Sequence, residues 1–223
     1  MKSLILTPKL QQALIDGRKT QTRRIHGGLE TIKSPDRYTL SDMSYHEGFI
    51  HAHFHVDNDK TALLGMTPKY QPKEIVYLRE AYRVSSDFDK VQPRKIKGCP
   101  VEYKIGGAIN CIGDHIDSPG RWRSPRYMPE QLARTFVRIT DVKVERLLDI
   151  SDVDCWAEGI IVNTYAGATE EKLRTNKNFI PRTNFYWLWR DIYGVKSWES
   201  NPWVFAYTFE LCNRQGNKLT SNS

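Results

Sequence analysis

Long apolar runs are missing from this 223-residue chain. Nothing approaches the roughly 20 residues needed to cross a bilayer. The apolar stretch Ser3 to Leu6 is too short for the core of a secretory signal, and an amphipathic helical pattern follows it. A cytoplasmic protein with no membrane partner is therefore expected. Cysteine is scarce as well: Cys99, Cys111, Cys155 and Cys212 include no Cys-x-x-Cys pair, so neither a zinc ribbon nor a redox motif is indicated and free thiols are predicted. Acidic charge is in deficit, with 26 Asp and Glu against 33 Lys and Arg, a net charge of +7. That balance favours an anionic partner, nucleic acid being the commonest, although many proteins with a similar surplus never touch it.

What is present fits a globular chain, 39% hydrophobic and 26% charged. The length suits one elaborated domain with a buried core. Its most distinctive stretch is Gly17-Arg18-Lys19-Thr20-Gln21-Thr22-Arg23-Arg24, four cations and two threonines behind a predicted helix from Pro8 to Asp16. Leu10, Ala13 and Leu14 give that helix its apolar face; proline near its start and Gly17 just past its end punctuate it. Arg18, Arg23 and Arg24 are suited to phosphates or a carboxylate, and their charges are expected to push the Lys19 amine down. Such a lysine can act as a base on Thr22 if the segment is a turn or helix; in a straight strand the two side chains point to opposite faces. A solvated basic face remains the plain alternative.

Further along, Ile25 to about Lys69 turns polar and reads as a β-hairpin-like insertion, with Tyr38-Thr39-Leu40, a strand from Phe49 to Val56 and a turn at Asp57-Asn58-Asp59. His51, His53 and His55 share one face of that strand, but about 7 Å separates neighbours, so a solvated face is expected in place of a metal site. Pro72 to Tyr82 carries a buried strand ending in Arg79-Glu80, a structural ion pair or a substrate contact. Val101 to Ile105 is another strand. Gly120-Arg121-Trp122-Arg123-Ser124-Pro125-Arg126-Tyr127 interleaves arginine with aromatics, as phosphate-holding, base-stacking surfaces do; Trp122 and Tyr127 can equally plug a core.

Ala133 to Leu147 alternates as a long strand. Ser151 caps a helix with Asp154 at its third position, and Gly159 closes it. Glu158 ends that helix against the helix dipole, at a cost of about 0.3–1 kcal/mol, which raises the question of its purpose. An aromatic helix from Thr183 to Gly194 and a strand from Trp203 to Leu211 follow.

In this order, G-R-K-T-Q-T-R-R, Val76-Tyr77-Leu78-Arg79-Glu80, the Phe136–Leu147 strand, Ala157-Glu158-Gly159, the aromatic helix and Asn201-Pro202-Trp203-Val204 resemble ASCH-domain proteins, in particular the larger phage and prophage members. The resemblance implies an α+β fold, a small PUA-like β-barrel flanked by helices. It implies a single domain over 1–212, with insertions near 27–69, 84–120 and 163–180 and a flexible tail at 213–223. Pro72-Lys73-Glu74 departs from the Gly-Asp that family members commonly show before the Val-x-Val-Arg-Glu strand.

By the same resemblance the partner is RNA, DNA or a modified nucleoside, and no metal or cofactor is called for. Some small bacterial relatives hydrolyse N4-acetylcytidine with a lysine, a threonine and a glutamate. Lys19 and Thr22 match the first two, and Glu158 matches the third through its Ala-Glu-Gly context. The implied roles are base for Lys19, nucleophile for Thr22 and proton relay or orienting acid for Glu158. Arg18, Arg23, Arg24, Arg79 and Arg123 would hold phosphate or a base edge, with Trp122 or Tyr127 stacking. A noncatalytic reader of modified bases and a metal-independent ribonuclease are the competing expectations.

Overall fold

The computed structural model describes residues 1–25, 33–57, 59–105, 109–110 (backbone only), 116–160 and 180–219. The expected insertion near 163–180, apart from Ile180, the Gly27-Gly28 breaker, Asn58 and Cys111 lie outside the described residues. Within them the fold is α+β, dominated by sheets, and it divides into two compact units. Strands β10 (Phe136–Arg146) and β11 (Trp203–Cys212) pass through both, with the boundaries at Arg138/Ile139 and Phe209/Glu210.

The first unit comprises 1–17, 73–138 and 210–223. Here β1 (Lys2–Ile5) pairs in parallel with β6 (Ile75–Arg79), and β6 pairs antiparallel with the start of β10. Helix α1 (Pro8–Ile15) buries Leu10, Ala13 and Leu14 as its periodicity predicts, and Gly17 ends it at φ +75°. Gln11 is buried among them, and its amide donates to the carbonyls of Leu6 and Arg79. A smaller sheet of β7 (Tyr82–Arg83), β8 (Val101–Tyr103) and β9 (Ile109–Asn110) encloses a core with Tyr82, Val84, Ile96, Val101, Tyr103 and Met128. Residues expected as a loose tail instead fold back: Asn213 N–H donates to Asn217 O at 2.9 Å and Leu219 N–H to Leu211 O at 3.2 Å.

The second unit, 18–72 and 139–209, contains β2 (Gln21–Arg24) antiparallel to β11, with β10 next to β11. In place of a hairpin, the insertion forms three antiparallel strands, β3 (Tyr38–His46), β4 (Phe49–Val56) and β5 (Asp59–Met66). The Trp203 indole N–H donates to the carbonyls of Pro35 and Tyr38, and its ring meets Phe54 edge-on at 5.2 Å. Helices α2 (Asp152–Ala157), α3 (Pro181–Tyr193) and α4 (Val195–Glu199) complete the unit, with Leu147, Ile150, Cys155, Phe185 and Trp189 in their core. The described strands form open sheets and do not close into the barrel that the resemblance implies.

His51 and His53 are half-buried, not freely solvated; His53 meets the Ser44 hydroxyl at 2.9 Å and His51 that of Thr67 at 3.0 Å. Cys99, Cys155 and Cys212 are free thiols, and burial pushes Cys155 up to about 12. Among the described residues, no helix is long and apolar enough to cross a membrane.

Candidate functional site

Alternation along β2 decides which of its charges work together. Side chains two residues apart share a face of an extended chain. The ladder with β11 continues past the strand's first residue, because Phe209 N–H donates to Thr20 O at 2.9 Å. Lys19, Gln21 and Arg23 therefore fall on one face, Thr22 and Arg24 on the other.

The first face meets the end of α2. Ser151 caps that helix by accepting the Asp154 N–H at 3.1 Å, and Gly159 at φ +76° closes it, leaving Glu158 as the C-terminal cap. Thr20 N–H donates to Ala157 O at 2.8 Å and ties the two segments together. The Lys19 amine donates to Glu158 Oε2 at 2.9 Å, to the Glu158 carbonyl at 2.7 Å and to the Gln21 carbonyl at 2.7 Å. An ammonium has three protons, and all three are taken.

Arg23 is as fully engaged. Its backbone N–H donates to Glu158 Oε1 at 2.6 Å, Nη1 to the same oxygen at 3.2 Å, Nε to Glu145 Oε1 at 2.6 Å and Nη2 to Asp154 Oδ2 at 3.0 Å. Lys143, two residues before Glu145 and on the same face of β10, reaches Asp154 at 3.0 Å and Glu145 at 3.2 Å. Three cations thus face three carboxylates. Burial pushes the Lys19 amine down, Glu158 pulls it back up, and the net direction is down; Arg24 and Arg23 add the smallest contributions. The lowering expected from the arginines is therefore mainly a desolvation effect.

Of the proposed catalytic group, the structure brings Lys19 and Glu158 together and leaves Thr22 out. Thr22 is buried on the opposite face, with Tyr207 as its cross-strand neighbour, and its hydroxyl bonds to neither Lys19 nor Glu158. Arg18 and Arg24 are half-buried in the same unit. Glu145, Asp154 and Lys143 belong to the cluster and were not among the predicted site residues; the only signal for them is the two-residue spacing of Lys143 and Glu145.

The remaining predicted residues lie in the first unit. Arg79 donates to the Arg126 carbonyl at 2.8 Å, and its neighbour Glu80 pairs not with it but with Arg134, at 2.8 Å. Trp122, Arg123 and Tyr127 line a cleft of about 750 Å³, walled on its other side by Asp89 to Pro93. Arg123 is buried; Nη1 donates to the Val91 carbonyl at 3.2 Å and Nη2 to that of Phe88, while Nε has no partner among the described residues. Arg121, from the stretch that interleaves arginine with aromatics, and Lys90, for which the sequence offers no signal, are exposed on the cleft's lining.

No protein family, curated protein or solved structure matches the chain.

Proposed function

We propose that this chain is a cytoplasmic nucleic-acid- or modified-nucleoside-binding protein of the ASCH, PUA-like kind found in phages and prophages. The observation that carries the reading is the cleft of the first unit, where Lys90, Arg121 and Arg123 stand against one lining carboxylate, Asp89, beside two exposed aromatic rings. Cations and aromatic rings side by side are what phosphate and base require. Titrating the protein against a short labelled single strand across a salt series tests it. Binding should weaken steeply as salt rises, because each neutralised phosphate releases counterions; binding indifferent to salt would reject the reading.

A second reading, hydrolysis of N4-acylated cytidine, is favoured by the buried pair of an amine and an acid 2.9 Å apart, with the amine shifted down. In this reading Lys19 removes a proton from the attacking oxygen, Glu158 orients it, and the proton ends on the departing N4. The face occupied by Thr22 makes water the attacking group, so acetate and cytidine are the products. Lys19 must first give up one of its three acceptors. Incubation with N4-acetylcytidine decides between the readings: release of cytidine that disappears in Lys19→Ala supports hydrolysis, and its absence supports binding alone. Product analysis on RNA in the same experiment covers strand cleavage.

A further inference from the structure

We infer that the cleft of the first unit is a nucleotide site, in which a base stacks on Trp122 and its phosphate sits against Arg123, Arg121 and Lys90. The site rests on the nucleic-acid reading above and narrows it to one place and one ligand class.

The strongest indication is Arg123. Its guanidinium lies in a residue only 8% exposed, yet its acceptors are all uncharged, two backbone carbonyls and the Tyr82 hydroxyl, and no carboxylate pairs with it among the described residues. Its Nε proton is buried without a well-aligned acceptor, and the phenol of Tyr82 brings no charge to the contact. Buried charges are normally paired, so an anion in the cleft supplies what the protein omits. The residue itself is fixed, exchanging backbone hydrogen bonds with Tyr82 at 2.7 and 3.2 Å.

The lining around it repeats the sign. Lys90 and Arg121 are exposed there, and the single lining carboxylate is engaged by the facing segment, where Asp89 accepts the Arg121 backbone N–H at 3.1 and 3.3 Å. Asp89 is thereby committed before any ligand arrives. The aromatic component is equally prepared. Trp122 is 40% exposed and Tyr127 61%. The indole is held from Arg83 at 4.8 Å and Lys104 at 6.0 Å, neither of which lines the cleft, so the ring is positioned by cation–π contact and still available.

Ligand size and chemistry follow. A space of about 750 Å³ is wasted on inorganic phosphate and suits a mononucleotide or a short stretch of strand. A nucleoside without phosphate leaves the cations unused, and a polyphosphate without a base leaves the rings unused.

Equilibrium dialysis of the full chain with labelled cytidine 5′-monophosphate, and separately with a short single-stranded oligonucleotide, tests the site, with cytidine and inorganic phosphate as comparators. The nucleotide should bind at least about tenfold more tightly than either comparator, and Trp122→Ala should weaken it by about tenfold, the scale of one base–aromatic stack. Arg121→Ala and Lys90→Ala, both at exposed positions, should weaken it and flatten its salt dependence; they keep the test valid where Arg123→Met unfolds the loop. Binding of the mononucleotide identifies a free nucleotide as the source, and binding of the oligonucleotide alone identifies a strand; either supports the site. Salt-sensitive oligonucleotide binding that is unchanged in Trp122→Ala and Arg121→Ala overturns the cleft and leaves the broader reading standing. Binding of neither ligand overturns both.

Discussion

Lys19 and Glu158 are joined twice, the amine donating to the carboxylate at 2.9 Å and to the backbone carbonyl of the same residue at 2.7 Å. The second bond makes the contact a clamp between two chain segments as well as an ion pair, since it fixes the backbone at the end of α2. With the lysine side chain 0% exposed, removing it leaves Glu158 Oε2 without its donor inside the protein and Arg23 as the remaining cation on that carboxylate. Lys19→Met is expected to cost about 3–5 kcal/mol, the usual scale for breaking a buried pair on one side. Adding Glu158→Gln should recover part of that loss, because the buried charge left with a single cationic partner goes with it. Urea denaturation of the single and double variants measures both effects.

Asp154 sets the acid limit of the same cluster. Burial pushes its carboxyl up, but the hydrogen bond from Lys143 and the charges of Arg23 and Lys143 outweigh this, and the net direction is down from 3.8. Below 3.8 and down to its native value, the unfolded chain binds more protons than the folded one, so stability rises with pH across that window. The contribution is fully present above the window and is lost as pH falls through it. Asp154→Asn should flatten this part of the stability profile, which thermal unfolding between pH 2 and 5, roughly the range of carboxylate titration, can follow.

Local pattern and distant pairing were legible to different degrees. Periodicity is enough for α1, whose Leu10, Ala13 and Leu14 face inward, and aromatic composition with a closing glycine is enough for α3, ended by Gly194 at φ +85°. Composition is enough to single out Gly17 to Arg24. It is not enough to say what the charges do, because the acids that neutralise them lie 122 to 139 residues further along the chain. Lys19 and Thr22 were a possible pair only while strand and turn were both open, and the ladder with β11 closes that choice. Asn201-Pro202-Trp203-Val204 has a structural explanation: the Asn201 side chain accepts the Leu148 N–H at 2.8 Å, and Trp203 anchors the 3₁₀ turn before β3. The cleft wall at Asp89 to Pro93 has no regular period, so nothing in the sequence announces it.

Glu80 and Arg134 should behave as a second obligate pair. Glu80 is 1% exposed and accepts two bonds from Arg134 Nε, one from Nη2 and one from the Thr135 hydroxyl. Arg134 also lies over the Tyr103 ring, 4.1 Å from its centroid, so its loss removes packing with the charge. Arg134→Met is expected to destabilise by about 3–5 kcal/mol. Replacing Glu80 by Gln as well should give a double variant less damaged than the sum of the two singles, and a double-mutant cycle on urea midpoints reads that coupling.

Gly120 tests the cleft wall without removing a charge. A methyl group built there would meet Asp89 Oδ1 at 2.6 Å and the Val84 carbonyl at 2.9 Å. The carbonyl belongs to backbone that accepts the Gly120 N–H at 2.8 Å, so it cannot retreat without losing that bond. Asp89 can swing away, but only by releasing the Arg121 N–H it accepts. Gly120→Ala is therefore expected to cost about 1–3 kcal/mol, as overpacking does in a tight site. It should also free the Asp89 carboxylate to oppose anions in the cleft, so nucleotide affinity should fall even at temperatures where circular dichroism shows the variant folded. Undiminished affinity in a folded Gly120→Ala protein would mean that Asp89 does not need the Arg121 N–H to stay out of the ligand's way.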